Sequence, residues 1–432
     1  MSKIDKVTII GGGLAGCEAA WQAAKRGIDV TIHEMRPARR SAAHTTDGLA
    51  ELVCSNSLKS LSLDNAAGLL KEEMRILGSL VVEAAHASSV PAGKTLAVDR
   101  AAFSAYITAA LEAAGVDVIR GEVADIPDSR PLIVATGPLT SDAFATAISG
   151  LIGKGALFFY DAVAPIVYGE SIDMTRSFFA SRYGKGEADY INCPLTEPEY
   201  DRFYAELIAA DEVEGRAFED LRHFEGCMPI EVMAKRGPKT LLFGPMRPVG
   251  LVDPATGRRP FAVVQLRKED LIGGLYNIVG FQTRLRYAEQ KRVLRLIPGL
   301  VNAEFARLGK MHRNSYIESP ELLNNAQQLR TEPSIFFAGQ ITGVEGYCES
   351  ALSGILAGIN ASRFCMGLPV VTPPPETLSG ALMAHISASG AEPFQPMNAN
   401  MGLLPLGFGK DRRPEAVRVA IEGITSWAGN IL

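Results

Sequence analysis

The stretch KVTIIGGGLAGCEAAWQAAKRGIDVTIHEM, residues 6–35, decides the fold of this chain. Its apolar start, residues 6–10, predicts a buried strand. Gly11-x-Gly13-x-x-Gly16 follows directly and predicts a tight turn whose backbone closely approaches a bound pyrophosphate. Because such a turn needs a strand before it and a helix after it, the neighbouring sequence decides whether the motif is significant.

A helix and a second strand complete the unit. Residues 15–25 predict a helix whose N-terminus faces the pyrophosphate, and residues 29–33 predict the second strand. Glu34 lies 18 residues past Gly16, where a carboxylate accepts hydrogen bonds from a ribose without a 2′-phosphate. The sequence therefore predicts a dinucleotide site. Its first members are Gly11, Gly12, Gly13, Leu14, Ala15, Gly16 and Glu34.

Two later segments favour FAD over NAD as the dinucleotide. PLIVATGP, residues 131–138, predicts a strand that ends in a small-residue turn at Gly137. SIFFAGQITGVEGYCESALSGILAGINA, residues 334–361, predicts another strand, a glycine turn and a long helix. Flavoproteins of the glutathione-reductase type bring such a helix N-terminus to the pyrimidine edge of the flavin, where negative charge develops on reduction. The residues predicted to line the site are Gly339, Gln340, Gly343, Glu345, Gly346 and Tyr347.

The predicted fold class is α/β, with a glutathione-reductase-like Rossmann domain that binds FAD. The cofactor segments lie at both ends of the chain, so we expect this domain to be discontinuous. It comprises residues 1–155 and 320–432, and residues 156–319 form an inserted α+β domain. A second GxGxxG motif is absent from the sequence, so a pyridine nucleotide, NADH or NADPH, is expected to bind only transiently.

Composition narrows the class of protein. The 432 residues are 47% apolar and 21% charged, as in a globular protein with two or three domains. The sequence contains neither an uncharged run of 18 residues nor a signal-peptide pattern, so we expect a cytoplasmic protein that does not bind membranes. The net charge is −5, yet residues 233–313 hold 16 Lys and Arg against 5 Asp and Glu. This basic excess fits either a polyanion site or an ordinary solvated face.

Two of the six cysteines are candidates for chemistry. The sequence has no CxxC pair, which argues against a zinc ribbon or a dithiol centre and predicts free thiols. Cys54, in LVCSNSLKS, lies in a polar loop on the side predicted for the cofactor. Cys227, in HFEGCMPIEVMAKRG, lies at a turn near Lys235 and Arg236, which would favour a thiolate if the fold brings them close. A buried structural role is the alternative for both, and it is the role expected for Cys17.

Short sequence blocks that match one known family lie along nearly the whole chain, among them GGGLAGCEAA, ELVCSNSLKS, LAVDR, FEGCMPIEVMAKRG, AVVQLRKED, MHRN, FFAGQITGVEGY and FQPMNANMGLLP. Together they resemble the folate- and FAD-dependent tRNA (uracil-5-)-methyltransferases, the TrmFO family, which is related to the GidA flavoproteins. CSNSLKS and EGCMPIEVMAKRG separate this family from its larger relative that modifies the wobble uridine of tRNA. The departures are minor: Met401 stands where Phe is usual, and NAEFARLGKMHRN lacks the aromatic residue that more often precedes its glycine.

The resemblance implies an enzyme that methylates carbon 5 of the T-loop uridine of tRNA. Its one-carbon donor is 5,10-methylenetetrahydrofolate and its reductant is reduced FAD. Carbon 5 of uracil is a poor nucleophile, and addition of a thiolate to carbon 6 makes it reactive. The exocyclic methylene that remains must then be reduced, which explains a flavin in a methyltransferase. By the same resemblance, Cys227 matches the nucleophilic cysteine and Cys54 the second cysteine, close to the flavin.

Substrate residues also follow from the resemblance. His312, in MHRN, matches a histidine that stacks on the folate pterin, and Arg284 and Arg286 are candidates for folate carboxylates or for phosphates. The basic segment gains a partner in tRNA, whose phosphates bind cations and whose target base leaves its loop. An obligate protein partner is not predicted. The residues predicted to face the RNA are Lys235, Arg236, Arg258, Arg259, Arg284, Arg286, Lys410, Arg412 and Arg413.

Three alternatives remain open at this point. A wobble-uridine-modifying flavoprotein has the same cofactor fold but usually carries a long helical C-terminal domain. An NAD(P)H–flavin oxidoreductase would reduce small acceptors and would need neither Cys227 nor folate. An RNA-binding flavoprotein that uses FAD structurally would bind tRNA without forming a product.

Overall fold

The computed structural model describes most of the chain, in nine ranges. For residues 157–162 and 311–313 it describes the backbone only. The described ranges are 6–41, 43–153, 157–162, 164–184, 188–213, 228–270, 272–388, 394–405 and 412–431.

A six-stranded sheet forms the first layer, and its strands come from both ends of the chain. Five of the six strands pair in parallel, and only the edge pair β16–β17 is antiparallel. The predicted strand at 29–33 is observed one residue longer. In spatial order the strands are β16 (Gln328–Leu329), β17 (Glu332–Phe337), β7 (Leu132–Val134), β1 (Lys6–Ile10), β2 (Asp29–Glu34) and β6 (Asp117–Arg120).

Two helices, α1 (Leu14–Ala24) and α11 (Tyr347–Cys365), pack against each other over this sheet. Their backbones touch, because a Cβ at Gly354 would overlap the backbone of Ala15 and one at Gly358 would overlap that of Ala19. Large side chains at these positions would separate the helices. Close packing therefore brings the N-termini of both helices to the same edge of the sheet.

A second six-stranded sheet belongs to the middle of the chain and is antiparallel in every pair. It has its own apolar core, in which Val264 and Leu266 pack against Tyr200 and Phe203 of a covering helix. In spatial order its strands are β10 (Phe178–Phe179), β11 (Tyr190–Leu195), β12 (Ala262–Lys268), β13 (Leu275–Ile278), β9 (Ile166–Tyr168) and β14 (Phe305–Arg307).

Two smaller sheets complete the strands. One is formed by β3 (Ser57–Ser60), β5 (Thr95–Val98) and β4 (Ser89–Val90), and the other by β15 (Met311–Tyr316) and β8 (Leu157–Ala162). The remaining helices of the described residues are α2 (Ala66–Ile76), α3 (Leu80–Ala87), α4 (Arg100–Ala113), α5 (Asp142–Ile152), α6 (Glu197–Ala209), α7 (Ile230–Lys235), α8 (Thr240–Phe243), α9 (Tyr287–Leu294), α10 (Ser319–Leu322), α12 (Leu378–Ser387) and α13 (Arg413–Ile431).

Two buried glutamates fix helix positions around the first sheet. Glu18 of α1 accepts hydrogen bonds from the backbone nitrogens of Leu80 (3.2 Å) and Val81 (2.8 Å), at the start of α3. Glu73 of α2 does the same for Leu378 (2.8 Å) and Ser379 (2.7 Å), at the start of α12. A carboxylate at a helix N-terminus satisfies otherwise unpaired N–H groups. Among the described residues, no helix is both long enough and apolar enough to cross a bilayer.

Candidate functional site

The glycine turn opens onto a cavity of about 140 Å³ at the carboxyl ends of β1 and β7. This is the edge of a parallel sheet where dinucleotides bind. The N-terminus of α1 also lies there and carries the partial positive charge of the helix dipole. The cavity is lined by nine of the residues predicted to bind the cofactor: Gly11, Gly13, Leu14, Ala15, Glu34, Gly137, Gly339, Gln340 and Tyr347.

The turn has glycine at Gly13 and at Gly16 for different structural reasons. A Cβ at Gly13 would meet no atom within 4 Å, so the space beside the first turn of α1 stays open for a ligand. A Cβ at Gly16 would overlap the carbonyl oxygen of Gly11, so only glycine allows the helix to lie this close to the strand. These residues fit a dinucleotide pyrophosphate. Gly12, Gly16, Gly343 and Gly346 do not line this cavity.

Glu34 lies at the end of β2, where the ribose diol of a dinucleotide binds. Its Oε1 accepts hydrogen bonds from the backbone nitrogen (3.0 Å) and Nε (2.8 Å) of Arg36, and its Oε2 accepts one from the nitrogen of Gly12 (2.9 Å). Burial raises the carboxyl pKa, but hydrogen bonds and charge from Arg36 outweigh burial and lower it. Glu34 is therefore ionised, and one lone pair of Oε2 is left to accept a ribose hydroxyl.

Cys17 has a structural role, as the sequence predicts. Its Sγ lies 3.4 Å from the carbonyl oxygen of Gly12, behind the glycine turn. Burial, with the negative charges of Glu34 and Glu18, raises the pKa of this thiol far above its usual range. The thiol is therefore protonated and unreactive at neutral pH.

A second cavity, of about 290 Å³, adjoins the first. Val53, Pro138, Leu139, Gln340 and Tyr347 line both cavities, so the two are adjacent. The second cavity contains Cys54 on one side and the N-terminus of α11, with Gly346 and Tyr347, on the other. This places a thiol beside the helix N-terminus predicted to face the flavin.

Cys54 is held by a junction between the two sheets. The hydroxyl oxygen of Tyr347 accepts hydrogen bonds from the backbone nitrogens of Cys54 (2.8 Å) and Ser55 (3.0 Å). The carbonyl oxygen of Cys54 accepts from Arg100 Nη2 (3.4 Å) and from Arg307 Nη2 (3.3 Å). Burial, together with the neighbouring Cys54, raises the pKa of Tyr347, so its hydroxyl is protonated.

Arg267 of β12 joins the same loop to the second sheet. Its Nε donates to Asn56 Oδ1 and its Nη2 to Ser55 Oγ, both at 2.9 Å. Asn56 Nδ2 in turn donates to the carbonyl oxygen of Lys268 at 2.8 Å. We call Arg100, Arg267 and Arg307, with their bonds to residues 52–56, the arginine clamp.

The clamp contains three cations and one close carboxylate, Glu269, which pairs with Arg100 at 2.7 Å. Burial and the charge of Arg100 lower the pKa of Arg307 to about 10. Burial also lowers the pKa of Arg267. The clamp therefore places buried positive charge around the loop that carries Cys54.

Sequence reasoning missed all three arginines of the clamp. Arg100 ends the block LAVDR, and Arg267 lies in AVVQLRKED, two blocks that the family resemblance includes without a role. A charged residue within an apolar strand pattern, such as Arg267 in β12, was the available signal.

Four of the predicted substrate residues line neither cavity: Lys235, Arg236, Arg284 and Arg286. Arg284 Nη2 pairs with Glu212, and Arg284 Nε lies 3.9 Å from Glu231. Lys235 pairs with the same Glu212, while Arg236, Arg258, Arg259, Arg286 and Arg412 are exposed and Arg413 begins α13. His312 lies on β15, opposite Asp161 of β8. Cys227 and Lys410 lie outside the described residues.

We call residues 11–16 together with Glu34 the glycine cradle. The fold and this cradle define a dinucleotide-binding protein of the flavoprotein type, and comparison with known families gives the same class. The family model described as "Glucose inhibited division protein A" matches residues 6–369. This is most of the chain, so the protein is a member of that family. Two crystal forms of GidA from Aquifex aeolicus superpose with a TM-score of 0.72; the first covers 99% of this chain and 73% of that chain at 18% identity. Together they confirm the predicted fold class.

Curated relatives narrow the class further. The chain is 60% identical over 400 residues to "Methylenetetrahydrofolate--tRNA-(uracil-5-)-methyltransferase TrmFO" of Heliobacterium modesticaldum, covering 92% of this chain and 91% of that protein. It is 57% identical to the protein of the same name from Geotalea uraniireducens, covering 99% of both. The chain belongs to the TrmFO family, which confirms the resemblance drawn from the sequence.

Proposed function

We propose that this protein methylates carbon 5 of the T-loop uridine of tRNA, with 5,10-methylenetetrahydrofolate as the carbon donor and reduced FAD as the reductant. The observation that carries the proposal is the pair of adjacent cavities. One has the glycines and acid that suit a dinucleotide, and the other brings Cys54 next to the N-terminus of α11. The printed names of the relatives at 57–60% identity support the same reaction.

The chemistry assigned to the chain begins with a thiolate. Cys227 adds to carbon 6 of the uracil, so that carbon 5 becomes nucleophilic and bonds to the methylene carbon, which remains attached to one nitrogen of the folate. Loss of the proton at carbon 5 then expels tetrahydrofolate and leaves an exocyclic methylene, and the thiolate departs when that methylene is reduced. FAD, when bound and reduced, supplies the hydride that completes the methyl group.

Cys54 is assigned a supporting role beside the ring of the cofactor. Its backbone is fixed by Tyr347 and by the arginine clamp, so its Sγ has a defined position at the second cavity. From there it carries a proton to or from the substrate while Cys227 forms the covalent bond. Buried guanidinium groups nearby favour negative charge at this end of the cavity.

Substrate contacts complete the proposal. His312 stacks on the pterin, Arg284 and Arg286 bind anionic groups of the folate or the RNA, and the exposed cations around Arg258 bind tRNA phosphates. NADH or NADPH reduces the flavin in a transient encounter. We also propose that residues 1–155 and 320–432 form one domain and residues 156–319 the inserted one.

The test is a product analysis. Purified protein is incubated with unmodified tRNA transcript, methylenetetrahydrofolate and NADH or NADPH, and the nucleosides are analysed by mass spectrometry. The expected product is 5-methyluridine at one T-loop position. A folded, flavin-containing protein that forms none would overturn the proposal.

The two cysteines are separated by trapping with 5-fluorouridine tRNA, which stops the reaction at the covalent stage. Cys227→Ala is expected to abolish the adduct. Cys54→Ala is expected to slow turnover but still to form a detectable adduct. Cys193→Ala is the control, because Cys193 is buried in the second core away from both cavities. An adduct that persists in Cys227→Ala and disappears in Cys54→Ala would reverse the assignment.

A further inference from the structure

A row of five residues crosses the second sheet on the side that meets the Cys54 loop. Tyr190 pairs with Arg267, Arg267 with Asn277, Asn277 with Ile166, and Ile166 with Arg307. Residues directly opposite each other in neighbouring strands point to the same face of a sheet. Arg267 and Arg307 both bond to the Cys54 loop, so Asn277, between them, lies on the face that this loop covers.

Asn277 differs from the two arginines of the row because its only side-chain donor has no partner among the described residues; Arg307 Nε is also unpaired, but the Nη atoms of Arg307 donate to the loop. The two arginines donate to the loop, whereas Asn277 Nδ2 is buried and forms no hydrogen bond with any part of the chain that the structure describes. The residue is only 4% exposed, and it lines the 290 Å³ cavity together with Cys54. Folded proteins rarely leave a buried amide without a hydrogen-bond partner. An amide that has no partner within the protein and lines a cavity therefore indicates a contact with a bound molecule.

The surroundings of Asn277 indicate the chemistry of that ligand. Four more carboxamides line the same cavity: Gln282, Asn314, Gln340 and Asn398. Neutral amides both donate and accept hydrogen bonds, as needed to read the edge of a heterocycle, whereas phosphates and carboxylates are bound by cations. Two cations also line the cavity, and both already have partners: Arg267 donates to Asn56 and Ser55, and Lys59 Nζ lies 3.5 Å from Glu349 Oε1.

We propose that Asn277 is a positioning residue that donates a hydrogen bond from its amide nitrogen to a ring carbonyl of the substrate heterocycle in this cavity. The inference rests on the proposed function, which brings two such rings here. Uracil and the pterin of the folate both carry a lactam carbonyl, and either one satisfies the amide. In both cases Asn277 sets the orientation of the ring against Cys54.

The test uses the flavin-containing protein and the variant Asn277→Leu, which has a similar volume and no donor. Two quantities are measured: the Kd of 5-formyltetrahydrofolate, a stable folate with the same lactam, and the KM of an unmodified tRNA transcript. At least one is expected to rise about tenfold, or ~1.4 kcal/mol. A rise for the folate alone assigns the pterin, and a rise for the tRNA alone assigns the uracil.

Thermal stability separates a ligand contact from a structural one. Replacing an unpaired buried amide by an apolar group removes an unfavourable burial, so the Tm of Asn277→Leu is expected to stay unchanged or to rise. The matched control is Asn192→Leu in β11, two strands away in the same sheet. Asn192 is fully buried, and its amide donates to the carbonyls of Phe178, Ala180 and Tyr190. This control is expected to lower the Tm without changing the Kd of the folate or the KM of the tRNA.

Three outcomes would overturn the inference. They are unchanged values for both ligands, a Tm loss as large as that of Asn192→Leu, and a loss of bound flavin, which would assign Asn277 to the cofactor. If the leucine variant does not fold, Asn277→Ser replaces it and is expected to retain part of the binding through its shorter donor. Failure of the proposed function looks different, because the wild type itself would then bind no folate or form no product.

Discussion

The glycine cradle and the arginine clamp lie on either side of Tyr347, and they are built in opposite ways. The cradle uses residues close in sequence, with Gly11, Gly16 and Glu34 joined through one strand, one turn and one helix. The clamp joins residues far apart, for example Arg307 and Val53, which are 254 positions apart. The cradle works through absent side chains, and the clamp through long charged ones. One site therefore combines a local sequence motif with contacts between distant residues that form only in the folded chain.

The strongest way to break the cradle alone is Gly16→Val. A side chain there overlaps the carbonyl oxygen of Gly11, so α1 must move away from β1. We expect flavin content, from the ratio of absorbance at 450 and 280 nm, to fall at least tenfold, with a loss of about 3 kcal/mol in the free energy of unfolding. The control is Gly150→Ala in α5, where a Cβ meets no atom within 4 Å. Full flavin content in Gly16→Val would contradict the close approach.

Arg100→Met breaks the clamp and spares the cradle. It leaves the buried carboxylate of Glu269 without its 2.7 Å partner, so the free energy of unfolding is expected to fall by about 3 kcal/mol. Turnover should fall with flavin content retained, because Arg100 also donates to the carbonyls of Leu52 and Cys54. Arg418→Met, which removes an exposed pair with Glu422, is the control and should change stability by less than about 0.5 kcal/mol. Equal effects of the two variants would contradict a role of the arginine clamp in stability and turnover.

The two regions that these variants change differ in how far they can be predicted from the sequence. The cradle follows from spacing, since the helix predicted at 15–25 and the strand at 29–33 are observed as Leu14–Ala24 and Asp29–Glu34. The position of Cys54 in a loop shortly after the second strand predicts that it lies on the cofactor side of the sheet, and Cys54 does line a cavity with Tyr347. The clamp could not be predicted, because no local pattern records that β12 and β14 meet the 52–56 loop. Arg284 is predicted from the sequence to bind anionic groups of the folate or the RNA, and its ion pair with Glu212 is a contact that no local pattern records.

A pH experiment sharpens the description of the cradle. Burial and the charge of Arg36 lower the pKa of His44, which lines the dinucleotide cavity, to about 4. The unfolded chain, with a histidine pKa near 6.5, therefore binds more protons between pH 6.5 and 4, and stability falls as the pH falls through that range. Urea unfolding at pH 7.5 and pH 5 should show a loss in the wild type that is smaller in His44→Gln by on the order of 1 kcal/mol. The same loss in both proteins would contradict a buried neutral imidazole.

The smallest expected effect concerns the surface of the basic segment near the second sheet. Arg259 is exposed, and its replacement by Ala should weaken tRNA binding slightly and reduce the slope of log K against log salt by about 1. Arg75→Ala, on the exposed side of α2 beside the first sheet, is the control and should leave the slope unchanged. Filter binding over a range of salt concentrations measures both. Identical slopes for the two variants would contradict an RNA surface on this segment.

Tyr347 has one further consequence for the chemistry at the junction. A phenol oxygen has two lone pairs, and here the amides of Cys54 and Ser55 occupy both. Those two amides are thus unable to act as an oxyanion hole, and Tyr347 can interact with a bound ring only by giving up its own hydrogen. The hydroxyl of Tyr347 can therefore donate a hydrogen bond to a developing enolate. The same hydroxyl occupies the main-chain N–H groups of Cys54 and Ser55, which are thus not available to that enolate.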